Sequence, residues 1–186
     1  MKKHIYRTTR IEELKVEELC KAVEGLRIVV GVDVAKEDFV AVIMDGDKEV
    51  HATVKWKHPF ETKDFVKMII QLPCILVEVA MEPSGTYGDC LRSLFLDADI
   101  AVYRVSPKRC HDASEVYDGV PSLHDAKAAV IVSRLHLEGA SQPWSLASEE
   151  KRELCAAVKL MEVYDDHFHR NVNRLEGHLS RYWPRS

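Results

Sequence analysis

The chain has 186 residues and a formal net charge of −4, which gives no global indication of nucleic-acid binding. Its 46% hydrophobic and 30% charged residues exclude a disordered chain and are typical of one globular domain with an accessory helix. No apolar stretch approaches the roughly 20 residues of a membrane span and no signal peptide is recognisable, so we expect a cytoplasmic protein with no membrane partner.

Residues 1–25 are predicted to form an N-terminal basic arm followed by a short helix. The arm, residues 1–10, carries four basic residues and no acid, and is either a frayed terminus or a nucleic-acid contact. The apolar spacing over residues 11–25 fits an amphipathic helix that stops near Gly25.

Residues 26–140 are predicted to form one α/β domain. Apolar runs at 28–34, 39–44 and 50–56 predict three consecutive strands, and Asp45-Gly46 predicts the hairpin turn between the second and third. Helical spacing follows at 59–72, 85–98 and 126–137, and strands are predicted at 74–81 and 100–105. This order predicts a mixed sheet with flanking helices, as in the ribonuclease-H-like fold.

Residues 141–186 are predicted to be a linker and one long helix. Within 148–181, Leu154, Met161, Phe168 and Leu175 recur every seven residues, which is typical of a coiled coil. The alternative is a long helix packed on its own domain.

Two acids are expected at the carboxyl ends of strands. Asp33 closes an apolar run in which Gly31 faces the same side and leaves room beside it, and Glu82 directly follows the fourth strand. If these strands are parallel neighbours, the two carboxylates converge at the edge of the sheet. Glu78 is a competing acid that either supports the site or points outward.

Two further acids come from the region before the last helix of the domain. Asp125 completes an S-x-x-D capping box with Ser122 as N-cap, which would alone explain it. Asp118 in Tyr117-Asp118-Gly119 is first a turn residue, and matters only if a fourth carboxylate is needed.

Three or four converging carboxylates repel one another unless cations lie between them, and hard oxygen ligands favour Mg²⁺ or Mn²⁺. Two such ions are the usual arrangement for phosphodiester chemistry. The five cysteines form no C-x-x-C pair and the histidines are scattered, which argues against zinc and against a disulfide framework.

Five short motifs in order resemble a known family. They are Val30–Lys36, Met81–Tyr87, Val105–Arg109, His124–Lys127 and the Arg-rich helix that ends in Tyr182-Trp183-Pro184. Together they resemble the N-terminal part of the DEDD transposases of the insertion sequence 110 group, the bridge-RNA-guided recombinases. The resemblance implies a RuvC-like domain followed by coiled-coil helices.

The resemblance also implies roles and partners. Asp33, Glu82 and Asp125 match three of the four metal-binding, catalytic acids, while Ser122 holds the usual place of the fourth, for which Asp118 is the candidate. DNA, a guide RNA and a second copy of the chain (as a dimer or tetramer) are the implied partners. Family members continue into a domain with a serine nucleophile, which we expect to be absent from these 186 residues, so that strand exchange by this chain alone is not expected.

Basic residues are candidate nucleic-acid contacts. Lys108 and Arg109 follow the fifth strand near the presumed acids. Arg170, Arg174, Arg181 and Arg185 line one stripe of the long helix, which could follow a phosphate backbone or be a solvated face.

Three other functions compete with a transposase domain. An actin-like or sugar-kinase ATPase would need Asp-x-Gly and a second glycine-rich loop, whereas Val34-Ala35 follows Asp33. A stand-alone junction resolvase would not need the long helix. An inactive remnant that only oligomerises and binds nucleic acid is the main alternative.

Overall fold

A computed structural model describes residues 7–83, 85–114, 125–145 and 148–183 of the chain. The chain divides into two compact units, residues 1–145 and 146–186. In the described part of the first unit the strands are β1 (Thr9–Arg10), β2 (Arg27–Asp33), β3 (Asp38–Asp45), β4 (Val50–Lys57), β5 (Leu76–Met81), β6 (Ala101–Val105) and β7 (Ser141–Pro143). The α-helices are α1 (Val16–Val23), α2 (Thr62–Ile70), α3 (Asp89–Asp97), α4 (Pro107–Ala113), α5 (Asp125–Leu137) and, in the second unit, α6 (Glu149–Tyr182).

The strands form one mixed sheet in the order β1-β4-β3-β2-β5-β6-β7. Strand β2 is antiparallel to β3 and parallel to β5, which is in turn parallel to β6. The central five strands therefore have the order and directions of the ribonuclease-H-like fold, as the sequence predicts. Among the residues described, no helix is both long enough and apolar enough to cross a membrane.

The predicted hairpin between β3 and β4 is present, with a four-residue loop after Asp45. The carboxylate of Asp45 accepts hydrogen bonds from the backbone N–H groups of Asp47 and Glu49, both at 2.9 Å. Its second oxygen lies 2.9 Å from Nε2 of His51. The aspartate side chain therefore satisfies the loop backbone, which is why an Asp-Gly pair marks this turn.

The sheet has a hydrophobic layer on each face. On one face α1, α2 and α3 cover Ile28, Val30 and Val32 of β2, and the stacked rings of Trp56 and Phe65, with centroids 3.9 Å apart, lie in this layer. On the other face Val29 of β2 packs with residues of α4 and α5. Alternate residues of β2 thus face two cores, which explains its continuous apolar run.

Helix α5 lies directly against the backbone of β2 at Gly31. A Cβ atom built on Gly31 would lie 2.5 Å from the carbonyl oxygen of Ala129 and 2.8 Å from the backbone nitrogen of Ser133. Sequence reasoning treated the missing side chain as open room beside Asp33. That interpretation is wrong, because the space is filled by the helix, and the glycine is required for close helix–strand packing.

Four segments differ from the sequence-based expectation. The predicted helix over 11–25 is a 3-10 turn at Ile11–Glu13 followed by α1. Strands β1 and β7 and helix α4 were not predicted. Strands of two or three residues carry no readable periodicity, and they exist because they pair with an edge of the sheet already formed, β4 and β6 respectively.

We expect Gly31→Ala to lower the free energy of unfolding by about 3 kcal/mol or more, because the new methyl group meets backbone atoms of α5 that cannot rotate away. Urea denaturation measures this change. Gly46→Ala is the matched control, since a Cβ at Gly46 would meet no atom within 4 Å, and should change the stability by less than about 0.5 kcal/mol. Equal effects of the two substitutions would contradict the close packing of α5 on β2.

Candidate active site

Two carboxylates follow the carboxyl ends of adjacent parallel strands. Val32 of β2 is paired in register with Met81 of β5, so Asp33 and Glu82 are the next residues on strands about 4.8 Å apart. Alternation along the strands places Asp33 on the same face of the sheet as Val29, and Glu82 on the same face as Ala80. Val29 and Ala80 both pack under α5. Strands β2 and β5 are thus parallel neighbours, which is the condition under which the sequence analysis expects the two carboxylates to converge.

The third carboxylate comes from the first residue of α5. Asp33, Glu82 and Asp125 line one cavity of about 430 Å³, together with Pro107, Cys110, His111 and Ala128. Three separate elements (β2, the segment after β5, and α5) thus supply the acids, while α4 supplies the opposite wall.

Asp33 has a perturbed pKa because of this environment. The pKa of Asp33 is raised from 3.8 to about 6, chiefly by burial and then by the negative charges of Asp125 and Glu82, while the backbone N–H of Val34 acts in the opposite direction. Asp33 is half-buried and is acted on by both of the other acids, so it is the electrostatic centre of the cavity.

Cys110 of α4 is a buried neighbour of the acids that sequence reasoning missed. The pKa of its thiol is raised to about 12, chiefly by burial and then by the Glu82 carboxylate, which accepts the S–H hydrogen bond, and by the charge of Asp33. The thiol is therefore a neutral donor that holds Glu82. The Ser106-Pro107 pair, a typical start of a helix, was the available signal for α4, but it was interpreted only as the end of a strand.

The donor atoms suit a hard divalent cation, because carboxylate oxygens are the ligands that Mg²⁺ and Mn²⁺ prefer. The acids nevertheless share a cavity without forming a compact cage. Within the described ranges 7–83, 85–114, 125–145 and 148–183, no three His, Cys, Asp or Glu side chains are close enough to hold a metal ion as they stand. Asp118 and Ser122, the two candidates for the fourth position, lie outside the described residues.

Glu78, the competing acid, has a different set of partners. Its Oε2 accepts hydrogen bonds from Nε of Arg27 at 2.8 Å and is 2.6 Å from the second guanidinium nitrogen of that residue. It also lies 3.7 Å from Nε2 of His136, near the far end of α5. Glu78 is therefore a buried acid paired with Arg27, so the expectation that it points outward is wrong, and its contacts here are with Arg27 and His136.

The predicted basic contacts lie on two elements. Lys108 and Arg109 are exposed on α4, where Arg109 donates a hydrogen bond to the carbonyl oxygen of Ala140 at 3.1 Å. Arg170, Arg174 and Arg181 are exposed on α6, where Arg170 pairs with Asp166 at 2.5 Å. Arg185 lies outside the described residues.

Comparison with known proteins identifies the family. No curated protein matches the chain in sequence. One similar solved structure is that of T. thermophilus RuvC in complex with Holliday junction substrate, with 10% sequence identity and a TM-score of 0.44 over 63% of this chain and 99% of the RuvC chain. The family model of the insertion sequence 110 DEDD transposases, described as a transposase, matches residues 30–184. The chain therefore belongs to the DEDD transposase family of insertion sequence 110.

Proposed function

We propose that this chain supplies the metal-dependent part of a DNA transposase, in which Asp33, Glu82 and Asp125 are catalytic residues that hold Mg²⁺ or Mn²⁺ against a phosphodiester. The observation that carries the proposal is the convergence of three carboxylates from three elements on one cavity. The raised pKa of Asp33 supports it, since a carboxylate held beside other negative charges is stabilised by a divalent cation.

Each acid has its own part in this proposal. Asp33, half-buried at the end of β2, is the central ligand, and Glu82 is oriented by the thiol of Cys110. Asp125 is exposed at the start of α5 and reaches the cavity from the solvent side. When bound, the cation would neutralise the phosphodiester and activate the attacking oxygen. Asp118 remains the candidate for a fourth ligand.

The nucleic-acid contacts follow from the position of α4. Helix α4 contributes Pro107, Cys110 and His111 to the cavity wall, and Lys108 and Arg109 are exposed on the same helix, which makes them candidates to reach a nucleic acid bound there. Arg109 uses one N–H for Ala140 and has further donors for a phosphate oxygen. We propose that Lys108 and Arg109 contact the phosphate groups that flank the reacting phosphodiester.

Helix α6 is proposed to bind nucleic acid and to oligomerise. Arg170, Arg174 and Arg181 form an exposed basic stripe that suits the backbone of DNA or of a guide RNA. An exposed apolar row on the same helix suits a second copy of the chain. The division into an arm (1–25), a RuvC-like domain (26–140) and a linker with a coiled-coil helix (141–186) likewise stays a proposal, as does the cytoplasmic location.

The charge on Asp33 makes the metal-free protein less stable as the pH rises. Its pKa is raised from 3.8 to about 6, so its favourable contribution is complete below about pH 4 and is lost as the pH passes 6. In EDTA, Asp33→Asn should therefore stabilise the chain by about 1–2 kcal/mol more at pH 7 than at pH 4, after discounting for solvent exposure. Thermal unfolding at both pH values measures this, and a pH-independent difference would contradict it.

Divalent-ion binding tests the site itself. Mn²⁺ binding followed by electron paramagnetic resonance should weaken at least tenfold in Asp33→Ala, because one of the central ligands is lost. Asp97→Asn, which removes an exposed acid at the end of α3, is the control and should bind like the wild type. Cleavage of branched DNA in Mg²⁺ should depend on Asp33 in the same way. Equally weak Mn²⁺ binding by wild type and Asp33→Ala would instead support the inactive, nucleic-acid-binding alternative.

Salt dependence tests the basic stripe of α6. Replacing Arg170, Arg174 and Arg181 by Gln should reduce the slope of log affinity against log salt for DNA by about 2 to 3, roughly one unit per lost phosphate contact. Arg170 should contribute least of the three, since Asp166 already neutralises it. Lys63→Gln, which removes an exposed charge from α2 instead of α6, is the control. A slope that stays unchanged in the triple variant would show that the stripe is a solvated face.

A further inference from the structure

Helix α6 has a mainly apolar row of side chains along its length, most of which are exposed. The row, called the seam here, consists of two heptad positions that alternate along the helix. One position holds Leu154, Met161, Phe168, Leu175 and Tyr182. The other holds Lys151, Val158, Asp165, Val172 and Leu179. Leu154, Met161 and Phe168 are each 65% exposed and Leu175 is 59% exposed. An apolar row with a seven-residue period is buried by wrapping around another helix.

Asp165 lies at the middle of the seam and limits how two copies can pair. In a parallel, in-register pair the two Asp165 carboxylates would face each other in the apolar core, where like charges directly oppose. In an antiparallel pair the two Asp165 carboxylates no longer face each other, because each Asp165 then faces a residue of the other heptad row, the one that contains Leu154 and Phe168.

We propose that α6 pairs antiparallel with α6 of a second copy, with the two-fold axis between Asp166 and His167. This inference rests on the oligomerisation through α6 that is part of the proposed function. In this register, side chains paired across the two helices form layers from residue 151 to residue 182. The two-fold axis repeats each layer once on its other side. The layers are Lys151 with Tyr182, Leu154 with Leu179, Val158 with Leu175, Met161 with Val172, and Asp165 with Phe168.

Hydrogen-bonding complementarity at the edges of the seam favours this orientation, because an imidazole N–H can donate to a carboxylate. In the antiparallel register the carboxylate of Glu162 faces the imidazole of His169 in the second copy, on both sides of the axis. A parallel pair would instead place Glu162 beside Ala157, and His169 beside Tyr164, so neither would meet an opposite partner. Since positions 162 and 169 are two turns apart on one helix, they approach each other only between copies.

The outer face of the helix is compatible with the pairing. Arg170, Arg174 and Arg181 lie at heptad positions away from the seam, so an antiparallel pair keeps all three exposed for a phosphate backbone. Gly177 also lies on this outer face, where its lack of a side chain costs the seam no packing. Leu160 and Val163 are exposed apolar residues that the seam does not cover.

Cross-linking of the full chain tests the orientation. Native Cys155 is exposed and would lie across the seam from position 176 of the second copy. We expect Glu176→Cys to give a covalent dimer with a short bismaleimide. The same substitution combined with Cys155→Ser, and the wild type alone, are the controls that should not give this product. Equal cross-linking of all three would overturn the antiparallel register.

A charge swap tests the same register without any chemistry on cysteine. Glu162→Lys should weaken the dimer about fivefold in sedimentation equilibrium, because two exposed pairs are lost together. Adding His169→Glu should restore the wild-type dissociation constant, whereas Lys159→Glu, away from the seam, should leave it unchanged. A dimer that the double change fails to rescue, and that does not cross-link, overturns the register but leaves oligomerisation through α6 standing.

Phe168→Glu separates the inference from the function on which it rests. It places further carboxylates beside Asp165 in the centre of the seam, so the chain should become monomeric. A wild type that is monomeric at all concentrations, or a dimer that survives Phe168→Glu, would overturn both the register and the use of α6 for oligomerisation. The metal site of the first unit would be unaffected by either result and is tested separately through Asp33.

Discussion

The contact between α5 and the backbone of β2 at Gly31 is the constraint on which the candidate site depends. A side chain at this position would strike the backbone of Ala129 and Ser133, so only glycine allows the helix to lie this close. Asp33 is two residues further along β2, about 7 Å away, and Asp125 begins the helix about 12 Å before Ser133. The close packing at Gly31 therefore determines where α5 places the carboxylate of Asp125.

The far end of α5 is held by a different kind of interaction. The Nδ1 of His136 lies 2.8 Å from the hydroxyl of Ser141 in β7, and its ring packs against Tyr103 of β6. Glu78 lies beside it and is paired with Arg27. The two buried acids on this face of the sheet thus differ in kind. Glu78 has an arginine that balances its charge and stabilises the fold, whereas the charges that act on Asp33 are those of Asp125 and Glu82. That contrast separates a carboxylate balanced by an arginine from the carboxylate that is proposed to hold a cation.

The two roles proposed for helix α6 use two different faces of the helix. Its apolar seam and its basic stripe occupy different heptad positions, so oligomerisation and nucleic-acid binding do not compete for the same side chains. The seam is interrupted at Asp165, which lowers the stability of any coiled coil but makes the orientation of the partner specific. A weak, oriented interface of this kind suits an assembly that has to form around a nucleic acid.

The sequence by itself determined the five central strands, most helices, the turn at Asp45-Gly46, the heptad pattern of α6 and the family, because each of these is encoded in local spacing or in short motifs. It also identified Asp33 and Glu82, since an acid that ends an apolar run is visible without neighbours. Only the tertiary structure decided that β2 and β5 are parallel neighbours in register, that the space at Gly31 is occupied by α5, that Cys110 holds Glu82, and that Glu78 belongs to Arg27. These facts depend on contacts between residues far apart in the chain, and no local pattern encodes the distance at which a helix packs on a sheet.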